Sequence, residues 1–162
     1  MKKIIYLAGN ISSDPRTYEW RELAVKLLSE KYEVLNPAAN SFNKKLLKYN
    51  KPDEVDKFVR DAVRKSQRIL IVKDFNLVNK SDIILVDLTL VTPGKPPLGT
   101  IFELAWSWML RKPVIAILPK NTEDLKGLEK LYATHPFITS SISGIAHSVE
   151  EAIELILEFF EE

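Results

Sequence analysis

Short apolar runs alternate with amphipathic stretches along the chain, and the alternation predicts its elements. Residues 3–8 are almost wholly apolar and stop at Gly9, the pattern of a strand buried on both faces. Residues 10–16 are polar, and Asp14-Pro15 reads as a helix start, with Asp capping and Pro at the first helical position. The helix that follows runs to about Glu30, with Trp20, Leu23, Ala24, Leu27 and Leu28 on one stripe. Residues 32–35 form a second strand. Residues 36–52 read as a long polar connection, and connections of that length inside a compact domain are often functional. Residues 53–66 read as a helix with Val55, Phe58, Val59, Ala62 and Val63 facing inward.

Residues 68–79 are ambiguous. The run ILIV has strand propensity, and a helix leading to Asp74 fits equally well. Residues 83–86, between Asp82 and Asp87, predict a central strand, and residues 89–97 a Pro/Gly-rich loop. Residues 99–110 predict a helix, 114–118 a buried strand and 137–140 a short edge strand. Residues 148–160 close the chain as a helix, opened by a capping box of Ser148 and Glu151. With no internal repeat and no boundary signal, residues 1–162 are expected to form a single domain. Strands alternating with helices predict an α/β fold with a mostly parallel sheet covered on both faces. Ligands in such folds sit beyond the carboxyl ends of the strands. Gly9, Asn10, Asp87 and the first turns of the 99–110 helix all fall there.

Composition narrows the function classes. The 162 residues are 46% hydrophobic and 28% charged, with a formal net charge of +1. That gives no basic field for a nucleic-acid polymer and no acidic tail. No stretch approaches the length of a membrane span, and the apolar run after Lys2-Lys3 is too short for a signal peptide. The chain has no cysteine, which excludes disulfides and thiolate metal sites and fits a reducing cytoplasm. Two histidines far apart argue against a histidine-based metal centre.

The residue that stands out is Glu103. Between Ile101 and Leu110 the only polar side chains are Glu103 and Ser107. A carboxylate among Ile, Phe, Leu, Trp and Met is costly unless something pairs with it or uses it. Gly99 and Thr100 open the helix, where glycine allows close approach and free amides favour polar or anionic groups. Asp74 is either a turn or cap aspartate or a second carboxylate facing Glu103; paired carboxylates can divide a reaction into nucleophile and proton donor. Tyr6 is either a packing residue or a phenol that orients Glu103. The loop from Asn10 to Arg16 is either a solvated cap or a ligand loop in which Arg16, with Ser12 and Ser13, meets a phosphate. Trp106, Trp108 and Met109 make the helix apolar on a second face, which predicts a homo-oligomer.

Taken together, IIYLAGN at the start, Asp74 followed by Ser81-Asp82, ILVDL after them, and LGTIFELAWSWMLRKPVIAIL resemble the nucleoside 2-deoxyribosyltransferase family. The likeness runs from Ile4 to about Leu118. The family resemblance implies a flavodoxin-like doubly wound fold and exchange of the base on a 2′-deoxynucleoside, with no cofactor and no metal. It implies Glu103 as nucleophile, Asp74 as acid and base at the nucleobase, and Tyr6 as the phenol that positions Glu103. Gly9 and Asn10 would line the pocket. Pro97 and Leu98 stand where the family's transferases often carry a sugar-binding aspartate, and Asp87 is the acid left for that task. Many family sites are completed by a neighbouring subunit, for which His135 is the candidate here. Glu103 is expected to stay ionised, held by Tyr6 and the nearby helix amides. Close relatives of the family hydrolyse 2′-deoxynucleoside 5′-monophosphates, so an N-glycosidase is the alternative. A nucleotide-binding module without turnover is the third reading, and a Glu103–Asp74 pair speaks against it.

Overall fold

A computed structural model describes residues 1–65 and 68–161. Its strands are β1 (Ile4–Gly9), β2 (Glu33–Leu35), β3 (Ile83–Asp87), β4 (Val114–Ile117) and β5 (Gly144–Ala146). All neighbouring pairs are parallel, and the spatial order is β2-β1-β3-β4-β5. This is the flavodoxin-like doubly wound order, whose chain direction switches between β1 and β3. The helices are α1 (Arg16–Leu28), α2 (Ser41–Lys44), α3 (Pro52–Lys65), α4 (Ile69–Lys80), α5 (Leu98–Met109), α6 (Gly127–Thr134), α7 (Pro136–Thr139) and α8 (Val149–Phe160). No described helix is long and apolar enough to cross a membrane.

The period-two alternation of the strands builds two cores. Ile5, Leu7, Ile83, Leu85, Ile115 and Ile117 point to one face, where α1 supplies Trp20, Ala24 and Leu28 and α8 supplies Ala152, Ile153 and Ile156. Tyr6, Ala8, Ile84, Val86, Val114 and Ala116 point to the other, against Val78 of α4, Leu104 of α5 and Ile138 of α7. Burial on both faces is why these strands read as unbroken apolar runs. It also sends the Tyr6 side chain toward α4 and α5.

Several expectations change. The ambiguous segment is helix α4, because the connection from β2 must cross β1 to reach the parallel strand β3 and the Leu77-Val78 stripe packs on the sheet there. Residues 36–52 are not an open loop. Asn36 caps a 3-10 turn at Pro37–Ala39, Asn40 caps α2, and a second 3-10 turn covers Lys45–Lys48. The expected edge strand at 137–140 is helix α7 instead: Pro136 at the first helical position starts a turn, and His135 Nδ1 accepts from the Phe137 amide. The fifth strand is Gly144–Ala146, too short to signal itself. On α1 Trp20, Ala24 and Leu28 are buried as expected, joined by Thr17, Tyr18 and Arg21, while Leu27 faces solvent. Helix α1 starts one residue later than expected, with Pro15 at its cap position, and Asp14 Oδ1 accepts from the Arg16 amide at 2.9 Å. The inward set on α3 is only half-buried, and its expected end at Ser66 lies outside the described residues. Ser148 caps α8 through the Glu151 amide, and Glu151 reaches back to the His147 amide.

Candidate active site

The carboxyl ends of β1 and β3 lie side by side, with Gly9 opposite Asp87. Gly9 has φ +137°, and a Cβ there would come within 2.9 Å of the Asp87 carbonyl oxygen. Only glycine turns the chain away from the sheet at this point without strain.

Beneath this turn, three sequence-predicted residues converge. Tyr6 Oη donates to Glu103 Oε1 at 2.5 Å, from β1 across to α5. The Gly9 amide lies beside the same carboxyl group and favours its charged form. Asp74 of α4 lies close enough for its charge to act on both Tyr6 and Glu103. Glu103 is only 7% exposed, whereas the Asp74 side chain is a third exposed. Solvent therefore reaches the pair from the Asp74 side. Ser107, one turn on, is buried and spends its hydroxyl on the Glu103 carbonyl at 2.6 Å.

The electrostatics correct one expectation. Glu103 does not sit low. Burial raises it from 4.5 to about 8, against the Tyr6 hydrogen bond, with Asp74 adding to the rise and Arg21 and the Gly9 amide opposing it. Apolar walls on α5 outweigh the donors, since desolvation penalises the charged form most where water is excluded. Burial likewise lifts Asp74 above its usual range, and neighbouring Lys73 partly offsets that. Tyr6 is pushed well above an ordinary phenol by burial and by the two carboxylates, so it stays neutral and donates.

The remaining candidates lie around this centre. Asp87 is buried and its Oδ1 accepts from the Thr89 amide at 2.7 Å and the Thr89 hydroxyl at 2.6 Å, which shapes the β3–α5 loop. Asn10 Nδ2 donates to Thr92 Oγ1 at 3.0 Å and ties that loop to the one after β1. Both loops face α3 across a cavity of about 460 Å³ whose wall includes Asn10, Ser12, Arg16, Arg60, Thr92 and Lys95. Tyr6, Asp74 and Glu103 are not in that wall; Asn10, which lines it, directly follows Gly9 in the chain. Arg16 is exposed and forked onto Asp14, at 2.6 Å for Nη2. Lys95 is paired with Asp56. Thr100 is buried, while Gly99 is exposed and a Cβ there would meet nothing within 4 Å, so no close contact requires that glycine. His135 spends its Nδ1 on the cap of α7. No group of three His, Asp or Glu among the described residues could hold a metal ion.

The residue sequence reasoning missed is Arg21. It has no exposed surface. Its Nη2 donates to the Gly9 carbonyl at 2.8 Å, and its Nη1 to the carbonyls of Asn10, at 3.2 Å, and Thr17. Its guanidinium lies 4.6 Å from the centre of the Trp20 ring. The signal was present: Arg21 shares the i, i+4, i+7 spacing of Thr17, Ala24 and Leu28, a charge on the buried stripe.

No protein-family model matches the chain, and no curated protein sequence matches it. Solved structures do. A conserved protein from Enterococcus faecalis V583 superposes with a TM-score of 0.61 at 15% identity, over 96% of this chain and 99% of that one. A 2-desoxiribosyltransferase from Leishmania mexicana gives 0.55 at 16% identity, over 98% and 99%. A CMP N-glycosidase from Clostridium botulinum gives 0.49 at 18% identity, over 97% and 100%. The chain shares the fold of the Enterococcus and Leishmania proteins, a flavodoxin-like parallel α/β fold.

Proposed function

We propose that this chain transfers a 2-deoxyribosyl group between nucleobases through a covalent glycosyl-enzyme on Glu103. The observation that carries the reading is the buried Tyr6–Glu103 hydrogen bond from the middle of β1 to α5, with Asp74 close enough for its charge to act on the same carboxyl group. An N-glycosidic bond breaks through an oxocarbenium-like sugar, which a carboxylate opposite the base can stabilise and trap. A Glu103 oxygen attacks C1′ while the C1′–N bond breaks, and the Asp74 proton passes to the departing base. The incoming base then attacks C1′, the ester C1′–O bond breaks, Glu103 recovers its electron pair, and Asp74 takes the proton. Two displacements retain the anomeric configuration.

This scheme needs Glu103 ionised and Asp74 protonated. Both groups are raised, so a proton shared over the pair must sit on Asp74 in the reactive population. Tyr6, which donates to Glu103, and the Gly9 amide beside it favour that arrangement by stabilising the Glu103 anion. Asn10 and the β3–α5 loop border the sugar, and the chain's own residues suffice without a metal or cofactor. The partners are deoxynucleosides and free bases, handled in a reducing cytoplasm. A second copy of the chain covers the outer face of α5 and α7, where Leu98, Phe102, Trp108, Met109 and Phe137 stand exposed.

A second reading, hydrolysis of a deoxynucleoside 5′-monophosphate, is favoured by the cavity beside Asn10, where Ser12, Arg16 and Arg60 offer phosphate contacts. One experiment separates the two. The protein is incubated with thymidine plus adenine and, separately, with deoxynucleoside monophosphates. Deoxyadenosine in the first mixture supports transfer; free base and deoxyribose 5-phosphate in the second support hydrolysis. No turnover in either leaves a binding module and refutes the proposal.

A further inference from the structure

Arg21 is a buried cation without a carboxylate at ion-pair distance among the described residues; its hydrogen bonds run to backbone carbonyls. Its Nε is buried with no acceptor among the described residues. Such a group is expensive to keep inside a protein, and an isosteric apolar side chain would pack there more cheaply. A mere loop pin needs donors, not a charge. The site lies directly in front of it: Arg21 holds the Gly9 carbonyl, and the Gly9 amide lies beside Glu103.

We propose that Arg21 is a positioning residue for Glu103: its guanidinium clamps the Gly9–Asn10 turn so that the Gly9 amide faces the carboxylate, and its fixed positive charge stands behind that carboxylate. Burial lowers Arg21 only to about 10, so it remains charged at neutral pH. The groups facing Glu103 are Tyr6 from β1, Asp74 from α4 and Arg21 from α1, and Arg21 is the one that carries positive charge. Arg21 in turn faces Tyr18 and Asp87, and Lys73 acts on Asp74. The guanidinium carbon lies 4.6 Å from the centre of the Trp20 ring, and both side chains sit 3.4 Å from where a Cβ at residue 9 would lie.

The importance of Glu103 rests on the function proposed above, so the test reads Glu103 itself. Carbon-13 labelling of glutamate carboxyls, with Glu103 assigned through Glu103→Gln, gives its titration midpoint by NMR whether or not the protein turns over. Arg21→Met removes the charge and should raise the midpoint by about one pH unit. Arg21→Gln keeps two N–H donors for the loop and should give the same rise, which covers the case in which the methionine variant does not fold. Arg21→Lys keeps the charge but not the rigid planar fork that holds the turn; its midpoint should rise by less than half as much as in Arg21→Gln, while the Gly9 and Asn10 amides exchange faster. A midpoint unmoved in Arg21→Gln, or moved equally in Arg21→Lys, makes Arg21 a structural pin and overturns the proposal. If the midpoints behave as expected and no glycosyl transfer or hydrolysis is found, the function falls and this inference stands.

Discussion

A glutamic acid that titrates near 8 inside a folded protein makes stability depend on pH, and Glu103→Gln isolates that dependence. The native state holds the Glu103 proton up to about 8, whereas the group's ordinary value is 4.5. Between those limits the native state binds more protons than the unfolded chain, so stability falls as pH rises. The contribution is fully present below about pH 4.5, declines through the window and is gone above about 8. At about 1.4 kcal/mol per pH unit the whole window is worth at most 5 kcal/mol or so. Glutamine cannot ionise and so escapes the decline. It also exchanges a charge-capable acceptor for an amide beside Tyr6 and Gly9, which shifts its curve by about 1 kcal/mol at every pH. The informative quantity is thus the change with pH of the difference between the two proteins, since every other titrating group largely cancels. Urea unfolding at one-unit steps from pH 5 to 9 measures it. The variant should gain on the parent by roughly 2–5 kcal/mol across that range, most of it between pH 5 and 8. A difference that stays flat from pH 5 to 9 would mean that Glu103 ionises like a surface carboxylate, and the argument from burial would fail.

The ascending limb of kcat/KM for deoxyribosyl transfer should follow Glu103, with a midpoint near 8, and Tyr6→Phe should move that limb to higher pH and lower turnover at pH 7 by about tenfold to a hundredfold; an unmoved limb would reduce Tyr6 to packing. Asp74→Asn should cost about 10²–10⁴ in kcat with ordinary bases and much less with a base that departs without protonation, and equal losses on both would refute the proton-donor role. Gly9→Ala forces a Cβ to 2.9 Å from the Asp87 carbonyl at φ +137° and should destabilise the fold by about 1–3 kcal/mol, read as a fall in Tm. Phe137→Asp combined with Trp108→Asp should give monomers in sedimentation velocity where the parent self-associates; a parent that is monomeric at tens of micromolar contradicts the subunit contact.

Local pattern carried the fold a long way. The apolar runs of β1, β3 and β4 announce strands buried on both sides, because a two-face-covered strand cannot hide its composition. The single carboxyl on the greasy α5 announces a site, because nothing in an apolar helix tolerates it by default. Where local signals conflict, the pattern stays open or misleads. The ILIV run fits strand and helix equally, and tertiary packing made it the start of α4. Residues 137–140 have the composition of an edge strand, yet Pro136 and His135 wound them into α7. Leu27 was assigned inward because leucine is apolar, while the buried position on that face belongs to Arg21.

The order of residue types along this chain was enough to predict an α/β alternation with a mostly parallel sheet and to single out Glu103, since periodicity and hydrophobicity are local properties; Tyr6 and Asp74 as its companions rested on the family resemblance. Only tertiary structure decided that the phenol meets the carboxyl at 2.5 Å, that Glu103 is buried deeply enough to hold its proton toward pH 8, and that an arginine from α1 lies under the Gly9 turn. Distance, desolvation and the sharing of backbone carbonyls depend on which segments the fold brings together, and residues 97 positions apart in the chain carry no local sign that they will touch.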